Sequence, residues 1–186
     1  MGKVILGATI SLDGFINDRN GSVEALYTDF EELQSSEPMR EAIRHTGAVV
    51  MGRNTFAMSK DPDWYNDNYE FQVPIFVLTH TPPNPLPRTA GRLTFTFVTD
   101  GIESAVEQAK RAAGAKDVTI IAGASTARQV LRAGLADVLE VDIMPVLLCS
   151  GLRMFDGIDV EQIQLERIRV VQFPSGRTHH RYRVVK

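Results

Sequence analysis

The chain has 186 residues, 44% hydrophobic and 23% charged, which is typical of one globular domain, here residues 1–186. Twenty basic against 23 acidic residues give a net charge of −3, which indicates no general affinity for nucleic acid. The apolar runs are too short to span a membrane, and a strand pattern begins at Val4, so no signal peptide is predicted. Since Cys149 is the only cysteine, no intrachain disulfide can form, and we expect a cytoplasmic protein.

Strand and helix patterns alternate along most of the chain. Apolar runs that predict strands cover residues 4–12, 47–51, 74–78, 93–99, 118–121 and 138–148. Amphipathic patterns that predict helices cover residues 28–45, split at Pro38, then 101–113 and a stretch after residue 124. Two alternating runs flank Pro174-Ser175-Gly176 and predict a β-hairpin over 165–173 and 177–185. This order predicts an α/β fold with a mostly parallel sheet that ends in an antiparallel hairpin.

The segments between these elements are polar or rich in proline. Residues 61–71 predict an exposed loop, and residues 150–162 predict a second loop. Short helices are expected to follow the strands at 47–51 and 118–121. Their predicted N-caps are polar side chains, either Asn54 or Thr55 for the first helix and either Ser125 or Thr126 for the second.

Small residues from Ala122 to Thr126 join a predicted buried strand to a predicted helix. Such a turn suits an anion such as a diphosphate, because bare backbone N–H groups and the positive helix end face it. A tight turn without a ligand is the alternative, since a single glycine is weaker than a glycine-rich fingerprint. Gly52 to Thr55 and Thr79-His80 also follow predicted strands. In a parallel sheet all three turns share the edge where ligands bind.

Four motifs in order give the chain a resemblance to a known family. They are Ser11-Leu12-Asp13-Gly14, Met51-Gly52-Arg53-Asn54-Thr55, Leu78-Thr79 and Ile121-Ala122-Gly123-Ala124-Ser125. In their order and spacing the chain resembles the dihydrofolate-reductase-like family, and in particular the stand-alone relatives of the reductase domain of riboflavin biosynthesis. The resemblance covers nearly the whole chain. It implies a three-layer sandwich fold and an oxidoreductase that uses NADPH.

The resemblance also implies which residues would bind NADPH. They lie at or near the strand ends and are Ala8, Gly52, Arg53, Thr55, Thr79, His80, Ala122, Gly123, Ala124, Ser125 and Thr126. Arg53 would pair with the adenosine 2′-phosphate through its guanidinium, and Thr79 with His80 would hold the adenosine side. The backbone of Ala8 would meet the nicotinamide carboxamide. Ala122 stands where the family usually has the first of two glycines, and it adds only a methyl group.

The acceptor of the hydride is less clearly indicated. Asp13 is the candidate for substrate contact or proton relay, and the alternative is a turn aspartate that bonds a nearby amide. The form of the first loop resembles the riboflavin-type enzymes, which favours a ribosylamino- or ribitylaminopyrimidine, or another small carbonyl or imine. Asp29, Glu31 and Glu32 lie near the position of the folate-binding carboxylate in folate-reducing members, but none aligns with it. The single cysteine excludes the zinc set of a deaminase domain.

Two other functions stay open on sequence grounds. One is a true dihydrofolate reductase, and the other is a nucleotide-binding protein that kept the fold without catalysis. No metal site is predicted at His179-His180, because adjacent strand residues point to opposite faces of a sheet. The exposed edge of the hairpin could pair across a homodimer, as relatives in this family often do.

Overall fold

A computed structural model of the chain describes residues 2–158 and 163–186. Eight strands form one sheet in the order β5-β4-β3-β6-β1-β7-β10-β9, and β2 pairs with β8 in a separate ribbon. The strands are β1 (Val4–Ser11), β2 (Phe15–Asn17), β3 (Thr46–Gly52), β4 (Ile75–Leu78), β5 (Phe95–Val98), β6 (Asp117–Ile121), β7 (Val138–Met144), β8 (Leu152–Arg153), β9 (Gln164–Gln172) and β10 (Thr178–Val185). Strands β1 and β3 to β7 are parallel, while β10 runs antiparallel to both β7 and β9. The predicted α/β fold with a C-terminal antiparallel hairpin is confirmed.

Helices cover both faces of the sheet. They are α1 (Phe30–Ser35), α2 (Glu37–His45), α3 (Arg53–Phe56), α4 (Tyr65–Asn68), α5 (Ile102–Ala113) and α6 (Ala124–Arg132). One core layer packs α5 and α6 against the sheet around Leu6, Val50 and Ile120. The other layer places α2 and the aromatic segment after α3 against Met51 and Ile75. No helix in the described part of the chain is long and apolar enough to cross a membrane.

Proline positions explain two of the element boundaries. The predicted split of the first helical stretch occurs at Ser36, whose hydroxyl accepts a hydrogen bond from the Met39 amide and caps α2, with Pro38 in the first turn. The strand predicted over 138–148 stops at Met144, because Pro145 lacks the N–H that would continue the ladder. The chain then turns away from the sheet toward β8.

Both predicted loops contain structure. Residues 61–71 are anchored rather than exposed, because Tyr65 and Phe71 are buried and the Tyr65 ring stacks on Phe56 at 5.2 Å. A single 3₁₀ turn (Pro62–Trp64) and the single turn of α4 are too short to give a hydrophobic period in the sequence. In the second predicted loop, β8 pairs with β2. Residues 159–162 of that loop lie outside the described residues.

Candidate functional site

Two short connections place helix N-termini side by side at one edge of the sheet. Strands β3 and β6 are neighbours with Met51 opposite Ile121, so they end together. Helix α3 begins directly after Gly52, and α6 begins directly after Gly123. Both glycines are extended N-caps with nearly the same φ and ψ, −79° and 158° for Gly52 and −76° and 166° for Gly123. The two helices therefore start in the same way at adjacent positions.

Neither of these two helices has a side-chain cap. The predicted caps were wrong: Asn54, Thr55, Ser125 and Thr126 lie inside the first helical turns, and a glycine takes each N-cap position. A glycine has no side chain to accept from the first amides of the helix. Those N–H groups, together with the positive ends of the helix dipoles, are directed to the shared edge. The missing caps thus leave donors suited to an anion.

The two helix starts pack against each other reciprocally. A Cβ built on Gly52 would lie 2.6 Å from Thr126 Oγ1, and one built on Gly123 would lie 3.8 Å from Thr55 Oγ1. Thr126 is buried, so its hydroxyl fills the space that a side chain at residue 52 would need. The structure therefore brings together four of the predicted site residues. It also explains why the end of β3 carries a glycine.

The remaining predicted residues of the adenosine side flank this pair of turns. The Arg53 side chain is exposed at the start of α3, and within residues 2–158 and 163–186 it makes no hydrogen bond or ion pair. Thr79 follows β4, the strand next to β3, but it is buried and its hydroxyl donates to the Thr81 carbonyl at 2.9 Å. That hydroxyl closes its own turn. His80 beside it is exposed and accessible to a ligand.

In the described part of the chain, the main-chain groups of β1 that face these turns without a strand partner belong to Thr9, one residue after the predicted Ala8. The Gly7 carbonyl accepts a hydrogen bond from the Ala122 amide on the β6 side at 3.3 Å. Because successive residues of a strand point their N–H and C=O groups to alternate sides, Ala8 faces β7, where it lies opposite Val141. This geometry does not support the predicted role of Ala8. Thr9 faces the β6 side beyond the end of β6, and among the described residues its main chain has no strand partner there.

Asp13 joins two loops instead of closing its own turn. Its carboxylate accepts from the Ser11 hydroxyl at 2.5 Å, the Leu148 amide at 3.2 Å and the Cys149 amide at 2.8 Å. The Ser11 hydroxyl bond, with those from the Cys149 and Leu148 amides, holds the pKa of Asp13 below its usual value despite partial desolvation. The alternative prediction was a turn aspartate that accepts from a nearby amide. In the structure the Phe15 amide donates to the Ser11 hydroxyl oxygen instead of to Asp13. The carboxylate thus ties the first loop to the loop after β7.

A buried ion pair that sequence reasoning missed lies near the acceptor side of this edge. The fully buried Arg177 donates from Nε to Asp29 Oδ2 at 2.8 Å and from Nη2 to Asp29 Oδ1 at 2.6 Å. Nη2 also donates to the Leu26 carbonyl at 2.8 Å. Hydrogen bonds from Arg177 hold the pKa of Asp29 below its usual value. No local pattern could pair these residues, since 148 positions separate them.

Tyr27 lies between this ion pair and β1. The Arg177 guanidinium carbon lies 5.8 Å from the centre of its ring, and the Thr9 side chain is close enough to its hydroxyl to affect the pKa. Burial of the hydroxyl raises the pKa of Tyr27, although 36% of the residue is exposed. On the same face of the sheet, a hydrogen bond joins Asp142 Oδ1 to His179 Nδ1 at 3.0 Å. These groups line the open end of β1.

A separate cavity of about 230 Å³ lies between α2 and the hairpin. Charged side chains line it, and they are largely paired with each other, as in the 2.8 Å contact between Arg181 Nη1 and Glu140 Oε1. It includes none of the predicted cofactor-binding residues. The candidate site is therefore defined by the strand ends and the two helix starts.

Comparison with known sequences agrees with this geometry. The family model of the RibD C-terminal domain matches residues 2–178. The uncharacterized protein YyaP of Bacillus subtilis (strain 168) is 27% identical over 178 residues, which covers 94% of this chain and 90% of that protein. The family expected from the four motifs is therefore confirmed.

Comparison with solved structures gives the same fold. A Shewanella sp. PV-4 protein with a provisional assignment to riboflavin biosynthesis superposes with a TM-score of 0.78 at 21% identity, covering 99% of both chains. The deaminase/5-amino-6-(5-phosphoribosylamino)uracil reductase of Thermotoga maritima gives 0.67 at 15% identity over 99% of this chain and 57% of that one. Enterococcus faecalis dihydrofolate reductase complexed with NADP(H) gives 0.61 at 19% identity, covering 100% of this chain and 98% of the other. The dihydrofolate-reductase-like fold is thereby confirmed.

Proposed function

Because the chain belongs to the family of the RibD C-terminal domain, we propose that it is an NADPH-dependent reductase that transfers a hydride to a small heterocyclic acceptor. The pair of uncapped helix starts behind Gly52 and Gly123 carries the proposal. Two helix N-termini without side-chain caps, at the ends of adjacent parallel strands, are suited to cradle a diphosphate. The chemistry of hydride donation belongs to the cofactor, and the protein must bind and orient it.

Each contact to NADPH follows from where a side chain or amide lies. The backbone of Ala122 to Thr126 would hold the diphosphate, and the Arg53 guanidinium would pair with the 2′-phosphate. His80 would contact the adenosine. We assign the nicotinamide carboxamide to the open main chain of Thr9 in place of Ala8, because Thr9 faces the cofactor side beyond the end of β6 whereas Ala8 faces β7.

The acceptor we propose is a ribosylaminopyrimidine, the class reduced by the Thermotoga maritima relative. Asp13 would shape the acceptor side by holding the first loop, because its carboxylate already accepts three hydrogen bonds. A dihydrofolate reductase is the second candidate, since a solved structure of that enzyme shares the fold. The carboxylate at the start of the first helix argues against it. Both oxygens of Asp29 are bonded to Arg177, so this group is not free to pair with a pterin.

We also propose that residues 1–186 act as one domain that forms a homodimer through the edge strand β9. This strand exposes the apolar side chains Leu165, Ile168 and Val170 beside an unpaired strand edge. Sedimentation of the purified protein tests this pairing. Replacement of Ile168 by Lys is expected to shift a dimer to monomer.

Loss of NADPH absorbance with defined acceptors tests the reductase. The acceptors are 5-amino-6-(5-phosphoribosylamino)uracil and dihydrofolate, with NADH as the control reductant. We expect NADPH to be oxidised only in the presence of the ribosylaminouracil. Turnover of dihydrofolate alone would favour the second candidate, and NADPH binding without turnover of either acceptor would favour a nucleotide-binding protein.

A further inference from the structure

Arg177 fixes the segment before α1 onto the sheet. Its guanidinium is fully buried and bonds the Leu26 carbonyl and both oxygens of Asp29, the residues on either side of Tyr27 and Thr28. A buried guanidinium with three such bonds in a rigid fork holds its partners in one arrangement. The position of Tyr27 is therefore set from the hairpin, which lies on the far side of β7.

The Tyr27 hydroxyl is held beside the open end of β1. The Thr9 side chain is close enough to affect its pKa, and the main chain of the same Thr9 faces the two helix starts. Tyr27 therefore neighbours the residue to which we assign the nicotinamide carboxamide. Although burial raises the pKa of its hydroxyl, 36% of Tyr27 is exposed, so part of the residue borders solvent.

The charges around this phenol favour a proton donor that ionises during the reaction. Burial raises the pKa of Tyr27, so the hydroxyl keeps its proton at neutral pH, while the Arg177 charge acts in the opposite direction. The negative charges of Asp142 and Glu70 also raise the pKa of Tyr27. Among the described residues, Arg177 Nη1 is buried without a hydrogen-bond partner, 3.7 Å from Asp142 Oδ2. This donor has an ion-pair partner in Asp142 but, within the described part of the chain, no hydrogen bond, so its N–H groups are available to a developing negative charge on the phenol.

We propose that Tyr27 is the catalytic acid of the reduction and that Arg177 is the residue that positions it, an inference that rests on the proposed reductase function. Bound NADPH would supply the hydride and be oxidised to NADP⁺, and the hydride would add to the carbon of a C=N or C=O bond of the acceptor. The Tyr27 O–H bond breaks, and its proton joins the nitrogen or oxygen that receives the π electrons. The Tyr27 phenolate, beside Arg177, then regains a proton from water.

Tyr27→Phe tests this role, because it removes the hydroxyl and keeps the ring. Tyr182→Phe is the matched control, since its hydroxyl bonds His180 on β10 and takes no part in the site. The assay is NADPH oxidation with 5-amino-6-(5-phosphoribosylamino)uracil, and NADPH affinity is measured separately by fluorescence. Loss of a general acid lowers kcat by about 100-fold or more, so we expect that loss for Tyr27→Phe with unchanged NADPH affinity. Tyr182→Phe should match the parent in both measurements.

A pH profile separates a chemical role from a structural one. The parent should lose activity at alkaline pH as Tyr27 ionises, and Tyr27→Phe should lack that decline. Arg177→Lys, which keeps the charge but not the fork, should lower kcat more than it changes KM. Activity of Tyr27→Phe equal to that of the parent would overturn the assignment and leave the reductase proposal intact. Failure of the parent to bind NADPH would instead remove both.

Discussion

Replacement of Gly52 by Ala is the sharpest probe of the paired helix starts. The new Cβ would lie 2.6 Å from Thr126 Oγ1, which is 0.8 Å inside the 3.4 Å at which ordinary contact begins. Thr126 is buried, so the clash is relieved only by moving its side chain or by separating α3 from α6. Overpacking of this kind costs about 1–3 kcal/mol, which lowers Tm by about 2–12 °C in a chain of this size.

The variant Gly52→Ala/Thr126→Ala identifies the source of that cost. Thr126 Cβ lies 3.8 Å from the new methyl group, so removing Oγ1 removes the clash. Thermal unfolding of the parent, both single variants and the double variant should give a favourable coupling free energy of about 1–3 kcal/mol. NADPH affinity should fall in Gly52→Ala and recover in part in the double variant.

Gly123→Ala is the matched control for the steric argument. Its Cβ would lie 3.8 Å from Thr55 Oγ1, an ordinary contact, and its backbone is extended. We expect its Tm to equal that of the parent while NADPH binding weakens, because the methyl group stands at the diphosphate turn. A Gly52→Ala protein as stable as Gly123→Ala, or additive effects in the double variant, would refute the reciprocal packing.

Three further perturbations test the buried ion pair and the loop contact. Arg177→Met leaves the Asp29 carboxylate buried without its partner and should lower the free energy of unfolding in urea by about 3–5 kcal/mol. Adding Asp29→Asn to the same chain should restore part of that free energy. Because folding lowers the pKa of Asp29, its contribution is present above the unfolded value of about 3.9 and is lost as pH falls through the lower folded value. Urea unfolding from pH 6 downward, to about pH 2, should show this loss in the parent and not in Asp29→Asn. Asp13→Ala should accelerate hydrogen exchange of the Leu148 and Cys149 amides, and unchanged exchange there would contradict the loop contact.

The sheet could be predicted from the sequence because its inner strands are covered on both faces. Short, continuous apolar runs rich in β-branched residues, such as residues 47–51 and 118–121, indicate covered strands, and they match β3 and β6 closely. The hairpin was equally clear from its alternating pattern around Gly176. The prediction of an exposed loop at 61–71 was wrong. This segment is ordered by aromatic contacts such as that of Tyr65 with Phe56, which a hydrophobic periodicity does not reveal.

The structure brings several of the predicted site residues to one edge of the sheet and changes the local contacts expected for some of them. The sequence predicted Gly52 and Gly123 at one edge of the sheet. It also predicted helix caps at Asn54 or Thr55 and at Ser125 or Thr126, but tertiary packing overrode that local preference. We moved the proposed nicotinamide contact from Ala8 to Thr9 because of where β6 ends beside β1, and no local sequence pattern predicts that end. The Arg177 pair depends on a contact across 148 residues.

The measurement that tests the central claim most directly is a fluorescence titration with NADPH and NADH of the parent and of Arg53→Ala. Charge-assisted bonds from an unpaired guanidinium to the 2′-phosphate contribute about 1.5–3 kcal/mol, so the parent should prefer NADPH by about tenfold or more. Arg53→Ala should bind the two nucleotides with similar affinity, because NADH lacks the phosphate that Arg53 contacts. Binding of neither nucleotide by the parent, or an unchanged preference in Arg53→Ala, would contradict the account.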